Sequence, residues 1–300
     1  MSVEKVGYLG PMGSFTEAAA ERLIPHGERI PFRSIPDTMD AVKEGVVDQA
    51  VVPLENAIEG SVNITLDYFI HQQRLTMAAE IVAPIEQHLL VEPSRESTWE
   101  SVDIVYSHPQ AIAQCHQFIR KFLPHAEIAY ENSTAAAAQY IHEHPEENAA
   151  AIANIVAASS YGLSIAQKKI NDYDNNRTRF ILLKNNNSLY ANELISSNTQ
   201  YKTTLMISLA SDFSGALHQV LAAFAWRKIN LSKIESRPTK TGLGNYYFII
   251  DVAMQQDQIL IPGVCEELRA LGCEVEVLGS YPCFTLEELN GFESKVMAEK

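Results

Sequence analysis

The chain has 300 residues, 46% hydrophobic and 20% charged, a balance that suits about two packed domains and excludes a disordered or fibrous protein. Lys and Arg number 23 against 37 Asp and Glu, a net charge of −14 without a basic cluster, which argues against nucleic acid or an anionic membrane as partner. An anionic ligand would have to be held by local geometry against the global field.

Short apolar runs alternate with helical patterns through the first half of the sequence. A strand over 6–9 passes through a Gly/Pro turn into a helix over 14–23, and a strand over 32–35 precedes a helix opened by Pro36-Asp37 and closed by Gly45. A buried strand over 48–52 and a helix over 61–70 follow, then two apolar runs within 76–91 separated by Pro84. The pattern repeats as strand 104–106, helix 109–122, strand 127–130, helix 133–142, strand 149–153 and helix 155–162. Such alternation implies parallel sheets covered by helices. Residues 184–202 are polar, rich in Asn and Ser and aperiodic, and read as a linker. Beyond them come strand 204–209, helix 214–225, strands 231–236 and 245–253, helix 258–271 and strand 274–279, the βαββαβ order of a ferredoxin-like domain. Residues 282–300 are charged and read as a loose tail.

The cysteines Cys115, Cys265, Cys273 and Cys283 are sparse and form no CxxC pair, so reduced thiols and a cytoplasmic location are expected rather than a disulfide framework or zinc site. No basic-then-apolar leader precedes the first strand, so no signal peptide is expected, and no apolar run reaches the roughly 18–20 residues that cross a bilayer. His142 and His144, two apart on a helix, point away from each other, and no cluster suggests a metal or an organic cofactor.

In α/β sheets ligands bind where strands end and helices begin. Four such joints stand out: Gly10-Pro11-Met12-Gly13-Ser14, the polar loop from Pro53 to Ser61, Ser107-His108-Pro109-Gln110, and Asn132-Ser133-Thr134. The first is neither GxGxxG nor a P-loop, so a nucleotide is a weak reading. Ser or Asn at a helix start is ordinarily a cap, and His108 or Ser107 can cap the helix that Pro109 opens. Helix N-termini also carry free N–H donors and about half a positive charge, so several converging on one cleft would hold a carboxylate-rich small molecule. The segment Asp172-Tyr173-Asp174-Asn175-Asn176-Arg177-Thr178-Arg179-Phe180 packs acids, amides and two arginines before an apolar strand. Arg179 offers a planar fork for a carboxylate, and Thr178 a hydroxyl beside it.

Taken together, seven motifs in order resemble the prephenate dehydratases with a C-terminal ACT domain, across residues 6–281. They are Gly10-Pro11-Met12-Gly13-Ser14-Phe15-Thr16; Pro53-Leu54-Glu55-Asn56 with Gly60; Thr65-Leu66-Asp67; Ser107-His108-Pro109-Gln110-Ala111 with Gln114-Cys115; Asn176-Arg177-Thr178-Arg179-Phe180; Gly215-Ala216-Leu217; and Glu235-Ser236-Arg237-Pro238. No chorismate mutase segment precedes them, so the single-activity form is expected. Two positions depart from the family pattern: Ala57 stands where a serine is usual, and His218 where a valine is usual.

The resemblance implies a bilobal, periplasmic-binding-protein-like catalytic domain of two α/β lobes over 4–184, a linker over 185–201, an ACT domain over 202–281 and a tail over 282–300. It implies conversion of prephenate to phenylpyruvate, with Thr178 catalytic through hydrogen-bond donation to the leaving oxygen, directly or through water. Glu55 and His108 are the acids within the motifs, and either can be the ultimate proton source. Arg179 is expected to hold the pyruvyl carboxylate, because clamping the carboxylate that leaves as carbon dioxide would raise the barrier. Asn56, Glu55, Ser107, His108, Gln110, Ser14 and Phe180 are expected to line the same cleft. L-Phenylalanine is the implied effector, bound by Gly215, Ala216, Leu217, Glu235, Ser236, Arg237 and Pro238 in a homodimer or homotetramer formed through ACT domains. Arogenate dehydration and a catalytically silent amino-acid sensor are the competing readings; a sensor has no need of the Thr178 hydroxyl.

Overall fold

A computed structural model describes residues 3–72, 74–185, 195, 199–209, 213–240, 246–287 and 289. The chain divides into two units, Met1–Tyr68 with Val82–Phe180, and Phe69–Ile81 with Ile181–Lys300.

The first unit has two sheets. In one, Lys5–Leu9 lies parallel to both Glu28–Phe32 and Gln49–Asn56, and Arg177–Lys184 follows on the far side of Gln49–Asn56. Helices Phe15–Leu23 and Ile35–Lys43 make the crossovers, and each starts on a serine: Ser14 Oγ accepts the Glu17 N–H at 3.1 Å and Ser34 Oγ the Asp37 N–H at 3.2 Å. The strand expected at 32–35 lies instead at Glu28–Phe32, and Ile35 is already helical because Ser34, not Pro36, sets the helix start. This strand is the edge of its sheet, where Pro31 lacks no needed donor.

The second sheet runs Ser164–Gln167, His88–Val91, Ala149–Ala153, Ile104–Ser107, Glu127–Tyr130. Only its Ile104–Ser107 pairings are parallel; His88–Val91 is antiparallel to both its neighbours, so the expectation of purely parallel sheets is corrected to a mixed one. Both faces are covered: Leu89, Val91, Val105, Ala150 and Ile152 pack on one side, Leu90, Tyr106, Ala149, Ala151 and Ala153 on the other. The helix expected over 109–122 is broken into Pro109–Gln114 and His116–Phe122. Asp172 makes the break: its N–H donates to the Gln114 carbonyl at 2.6 Å and its carboxylate accepts the Gln117 N–H at 3.2 Å. Cys115 at the break is fully buried, and burial, with Asp172 adding, pushes its thiol far above the ordinary range, so it is an inert packing residue.

His88 is also buried; its Nδ1 accepts the Lys169 N–H at 3.0 Å, and burial lowers its pKa. The fold thus prefers neutral imidazole, and the stability it contributes is full above the unfolded pKa of about 6.5 and lost as pH falls through the lower folded value. His88→Gln is expected to flatten the drop in urea midpoint between about pH 7.5 and about pH 5.5; an unchanged drop would remove His88 from the acid response.

The second unit orders its strands Leu231–Pro238, Tyr246–Val252, Gln200–Ser208, Glu274–Thr285, with Thr76–Pro84 beside the last. Neighbours among the first four are antiparallel, and helices Ala216–Ala225 and Leu260–Ala270 cover one face through Leu205, Ile207, Val220, Phe224, Ile250, Val264 and Leu268. This is the expected ferredoxin-like arrangement. The last strand runs past the expected end at Gly279, since Pro282 and Cys283 pair with Tyr201 and Gln200, so the start of the charged tail is strand. Most of the linker expected over 185–201 and residues 290–300 lie outside the described residues. Inside the sheet the Thr204 hydroxyl donates to Asp251 Oδ1 at 2.7 Å and lies 2.7 Å from the Tyr281 hydroxyl, all three side chains being buried. Among the described residues, no helix is long and apolar enough to cross a membrane.

Candidate active site

Between the two sheets of the first unit is a cavity of about 500 Å³. Along Arg177–Lys184 strand parity decides which residues reach it: Thr178 and Phe180 line the cavity, whereas Arg179 between them does not. At the end of Gln49–Asn56, Pro53 and Asn56 line it and Glu55 does not. Arg179 and Glu55 form an ion pair at 3.5 Å, with the arginine side chain only 8% exposed. Ser107 is fully buried and donates its hydroxyl to the Ile152 carbonyl at 2.6 Å, a bond that holds two strands together away from the cavity wall. Of the residues expected from sequence, the structure brings the expected catalytic residue Thr178 and the expected substrate-binding residues Asn56, His108, Gln110, Ser14 and Phe180 to the cavity, and leaves Arg179, Glu55 and Ser107 off its lining.

The wall is built largely from the N-terminal ends of four helices: Ser14-Phe15-Thr16, Ser61-Val62, His108 with Gln110-Ala111, and Ser133-Thr134-Ala135. Each cap is local. His108 Nδ1 accepts the Gln110 N–H at 3.3 Å, which leaves Ser107 free for its strand bond, and Ser133 Oγ accepts the Ala136 N–H at 2.9 Å. Among the described lining residues there is no Lys or Arg, and the ionisable ones are Glu59 and His108. Positive potential in this cavity comes from N–H groups and helix dipoles rather than from cationic side chains.

Thr178 sits in an amide network. Asn56 Nδ2 donates to Thr178 Oγ1 at 2.9 Å and to Asn176 Oδ1 at 2.8 Å, and Asn176 Nδ2 donates to Gln114 Oε1 at 3.0 Å. Asn56 Oδ1 accepts the N–H groups of Ile58 and Glu59, both at 3.0 Å, which fixes the amide. The same amide nitrogen is also 3.2 Å from the Arg177 carbonyl, and with its oxygen accepting from Asn56 the Thr178 hydroxyl has its own hydrogen available for a further partner. Asn176, Gln114, Gln87 and Ile85 were not singled out as site residues; a buried polar side chain inside the apolar run after Pro84 was the available signal for Gln87.

The loop before the first helix is clamped by the second lobe. Tyr161 Oη donates to the Met12 carbonyl and Asn154 Nδ2 to the Gly13 carbonyl, both at 2.9 Å. Gly13 has φ +82°, and a Cβ there would stand 2.9 Å from Ala157 Cα. Only glycine fits that left-handed, crowded position.

In the second unit Gly215 caps the helix Ala216–Ala225, Ala216 is buried, and Leu217 is half-buried. Glu235 lies between Lys233 at 3.1 Å and Arg237 at 3.7 Å on alternate residues of one strand, and Ser236 and Pro238 point outward. The Pro238 carbonyl is 3.2 Å from His71 Nε2.

Comparison with known proteins agrees with these features. The family model described as prephenate dehydratase matches residues 6–188, and that of the ACT domain residues 203–259. The prephenate dehydratase of Bacillus subtilis is 53% identical over 94% of this chain and all of its own length. A prephenate dehydratase from Arthrobacter aurescens, solved in complex with L-Phe, superposes with a TM-score of 0.80 at 34% identity, covering 92% of this chain and 89% of that one. The prephenate dehydratase of Staphylococcus aureus does so with a TM-score of 0.76 at 31% identity, covering 92% and 99%. A first unit with two α/β lobes around a cavity, followed by a ferredoxin-like unit, and relatives matched over nearly their full lengths lead to one conclusion: the chain belongs to the prephenate dehydratase family, decarboxylating carbon–oxygen lyases, and carries an ACT domain.

Proposed function

We propose that this chain converts prephenate to phenylpyruvate in the cavity described above, and that L-phenylalanine regulates it through the ACT domain. The observation that carries the reading is the Thr178 hydroxyl, its oxygen accepting from Asn56, on a wall of helix N-termini. The balanced reaction takes the prephenate dianion and one proton to the phenylpyruvate anion, carbon dioxide and water. The ring carbon–oxygen bond breaks and its oxygen leaves with the added proton; the carbon–carbon bond to the ring carboxylate breaks and its electron pair enters the aromatic ring. Aromatisation supplies the driving force, so the protein's task is to assist the leaving oxygen and hold the ring.

Thr178 donates a hydrogen bond to that oxygen, and His108 and Glu59 are the ionisable groups on the wall from which a proton can arrive through water. The two carboxylates lie against helix N-termini and amides. Such neutral donors bind the departing carboxylate without the deep ground-state well that an arginine would create. This replaces Arg179 as the expected carboxylate clamp; its role, through Glu55, is to brace the strand that presents Thr178 and Phe180.

Asn56 acts through Thr178, so its contribution vanishes without the hydroxyl. Asn56→Ala is expected to lower kcat about 10- to 100-fold in the native background and to have little further effect in Thr178→Ala; additive losses would separate the two residues.

The wall also bears on substrate choice. Arogenate carries an ammonium where prephenate carries a keto group, and a wall of N–H donors repels it. A kcat/KM for prephenate at least about tenfold above that for arogenate is expected; the reverse order would favour the aminated substrate.

Regulation by phenylalanine is supported by the ACT domain and by the L-Phe complex of the Arthrobacter relative. Gly215 opens a helix whose first N–H groups can meet an amino-acid carboxylate, with Leu217 beside the ring, and Glu235, Ser236, Arg237 and Pro238 complete the site from a second copy. Leu231–Pro238 is an edge strand, whose unpaired backbone groups suit pairing with its counterpart in a dimer, from which a tetramer can be built.

A further inference from the structure

We infer that His71 couples the effector strand of the ACT domain to the wall of the cavity, so that the response to L-phenylalanine passes through its imidazole. The inference rests on the reading of the second unit as the site of phenylalanine regulation. Helix Asn63–His71 is one continuous element whose residues 63–68 belong to the first unit and 69–71 to the second. At its start the Val62 N–H donates to the Leu54 carbonyl at 2.9 Å and the Thr65 hydroxyl to the Pro53 carbonyl at 2.7 Å, and Pro53, Ser61 and Val62 all line the cavity. At its end His71 Nε2 lies 3.2 Å from the Pro238 carbonyl. A carbonyl only accepts, so Nε2 carries the hydrogen. The His71 ring also stands 6.0 Å from that of Tyr247, the residue paired with Arg237 on the neighbouring strand. Arg237 and Pro238 close the segment expected to meet the effector, so His71 touches that segment twice, once at its backbone and once through a registered neighbour.

An effector changes turnover only through contacts that differ between two arrangements of the protein. L-Phenylalanine seated against Glu235–Pro238 fixes the end of that strand. Phe69 and Ile70, both buried, share a crevice with Met206 and Leu278 of the ACT sheet, and apolar contacts of this kind tolerate a small slide. The hydrogen bond from His71 does not, because it depends steeply on distance and angle. It therefore ties the last turn of the helix to one position of the strand end. The helix has nine residues, about 13 Å at roughly 1.5 Å per residue, and its own backbone bonds make it stiff. A displacement of Pro238 is thereby delivered to Ser61 and Val62 and, through Thr65, to Pro53. His71 itself is not on the cavity lining, so turnover without effector does not draw on it.

The test uses His71→Phe, which keeps a ring beside Tyr247 and removes the donor, and His71→Gln, whose amide nitrogen has the reach of Nε2. Prephenate turnover is measured with L-phenylalanine varied to saturation, and L-phenylalanine binding by calorimetry. In His71→Phe the limiting change in turnover is expected to fall below about half of native, while L-phenylalanine affinity stays within about threefold and kcat and KM without effector within about twofold. His71→Gln is expected to recover most of the native response. A native response in His71→Phe would overturn the inference, as would a loss of L-phenylalanine binding as large as the loss of response, which would mean that His71 only supports the strand. Should His71→Phe fail to fold, His71→Ala is held to the same limits. Native enzyme that responds while His71→Phe responds equally sinks His71 alone, whereas native turnover that is absent or indifferent to L-phenylalanine sinks the regulatory reading and the inference with it.

Discussion

Replacing Thr178 by alanine is expected to lower kcat by about 10²- to 10⁴-fold while KM changes by no more than about threefold. The asymmetry follows from where the hydroxyl acts. In the ground state the substrate's hydroxyl is one polar contact among many along the wall. On the proposed reading negative charge gathers on that oxygen as the carbon–oxygen bond breaks, and a hydroxyl whose oxygen already accepts the Asn56 amide at 2.9 Å can donate to it without reorganising the wall. Thr178→Ser keeps the hydroxyl and is expected to retain most of the activity. Steady-state kinetics on prephenate check both variants; a Thr178→Ala enzyme within tenfold of native kcat would remove the hydroxyl from the chemistry.

Gly279→Ala is expected to destabilise the second unit by about 3 kcal/mol or more. Gly279 pairs with Thr204 where the register slips, the next pair being Leu205 with Val277. A Cβ at this position would collide with the Met77 carbonyl oxygen and stand 2.9 Å from Met77 Cβ. The obstacle is backbone, so no rotamer change relieves it and the strands have to part. Urea denaturation followed by circular dichroism is the check; a midpoint unchanged from native would show that the strands separate at no cost.

How legible these features were depends on how locally each was determined. The serines at positions 14, 34 and 133 cap helices through bonds to N–H groups three residues on, so the helix starts are written in a few adjacent residues. The break at Cys115 was not readable, because Asp172 supplies the cap from a distant part of the chain. The strand Ser164–Gln167 was missed: four half-buried residues just after the Gly162 helix end give no period to detect. The strand at Glu28–Phe32 was displaced in the reading because it carries two charges and a proline, tolerable only on an edge.

The site divides the same way. Residue types pointed to Asn176-Arg177-Thr178-Arg179-Phe180, and the motif is indeed at the cavity, yet type does not reveal which face of a strand a side chain takes. Thr178 and Phe180 face the cavity and Arg179 the Glu55 carboxylate, a distinction of parity that needs the strand to be placed. Helix N-termini were foreseen as the source of positive potential for a chain of charge −14, and four of them meet on the wall. Gln87 stands as a polar residue in the apolar run after Pro84, a signal the sequence offers, whereas the burial of its side-chain oxygen without a partner is a property of the fold.

Phenylpyruvate formation from prephenate by the purified protein, followed by its absorbance in base with and without L-phenylalanine, tests the central claim most directly. Turnover that falls when phenylalanine is added is the predicted result, and it engages the cavity and the ACT domain together. A protein that binds prephenate tightly and returns it unchanged would contradict the account and favour a sensor built on the same fold.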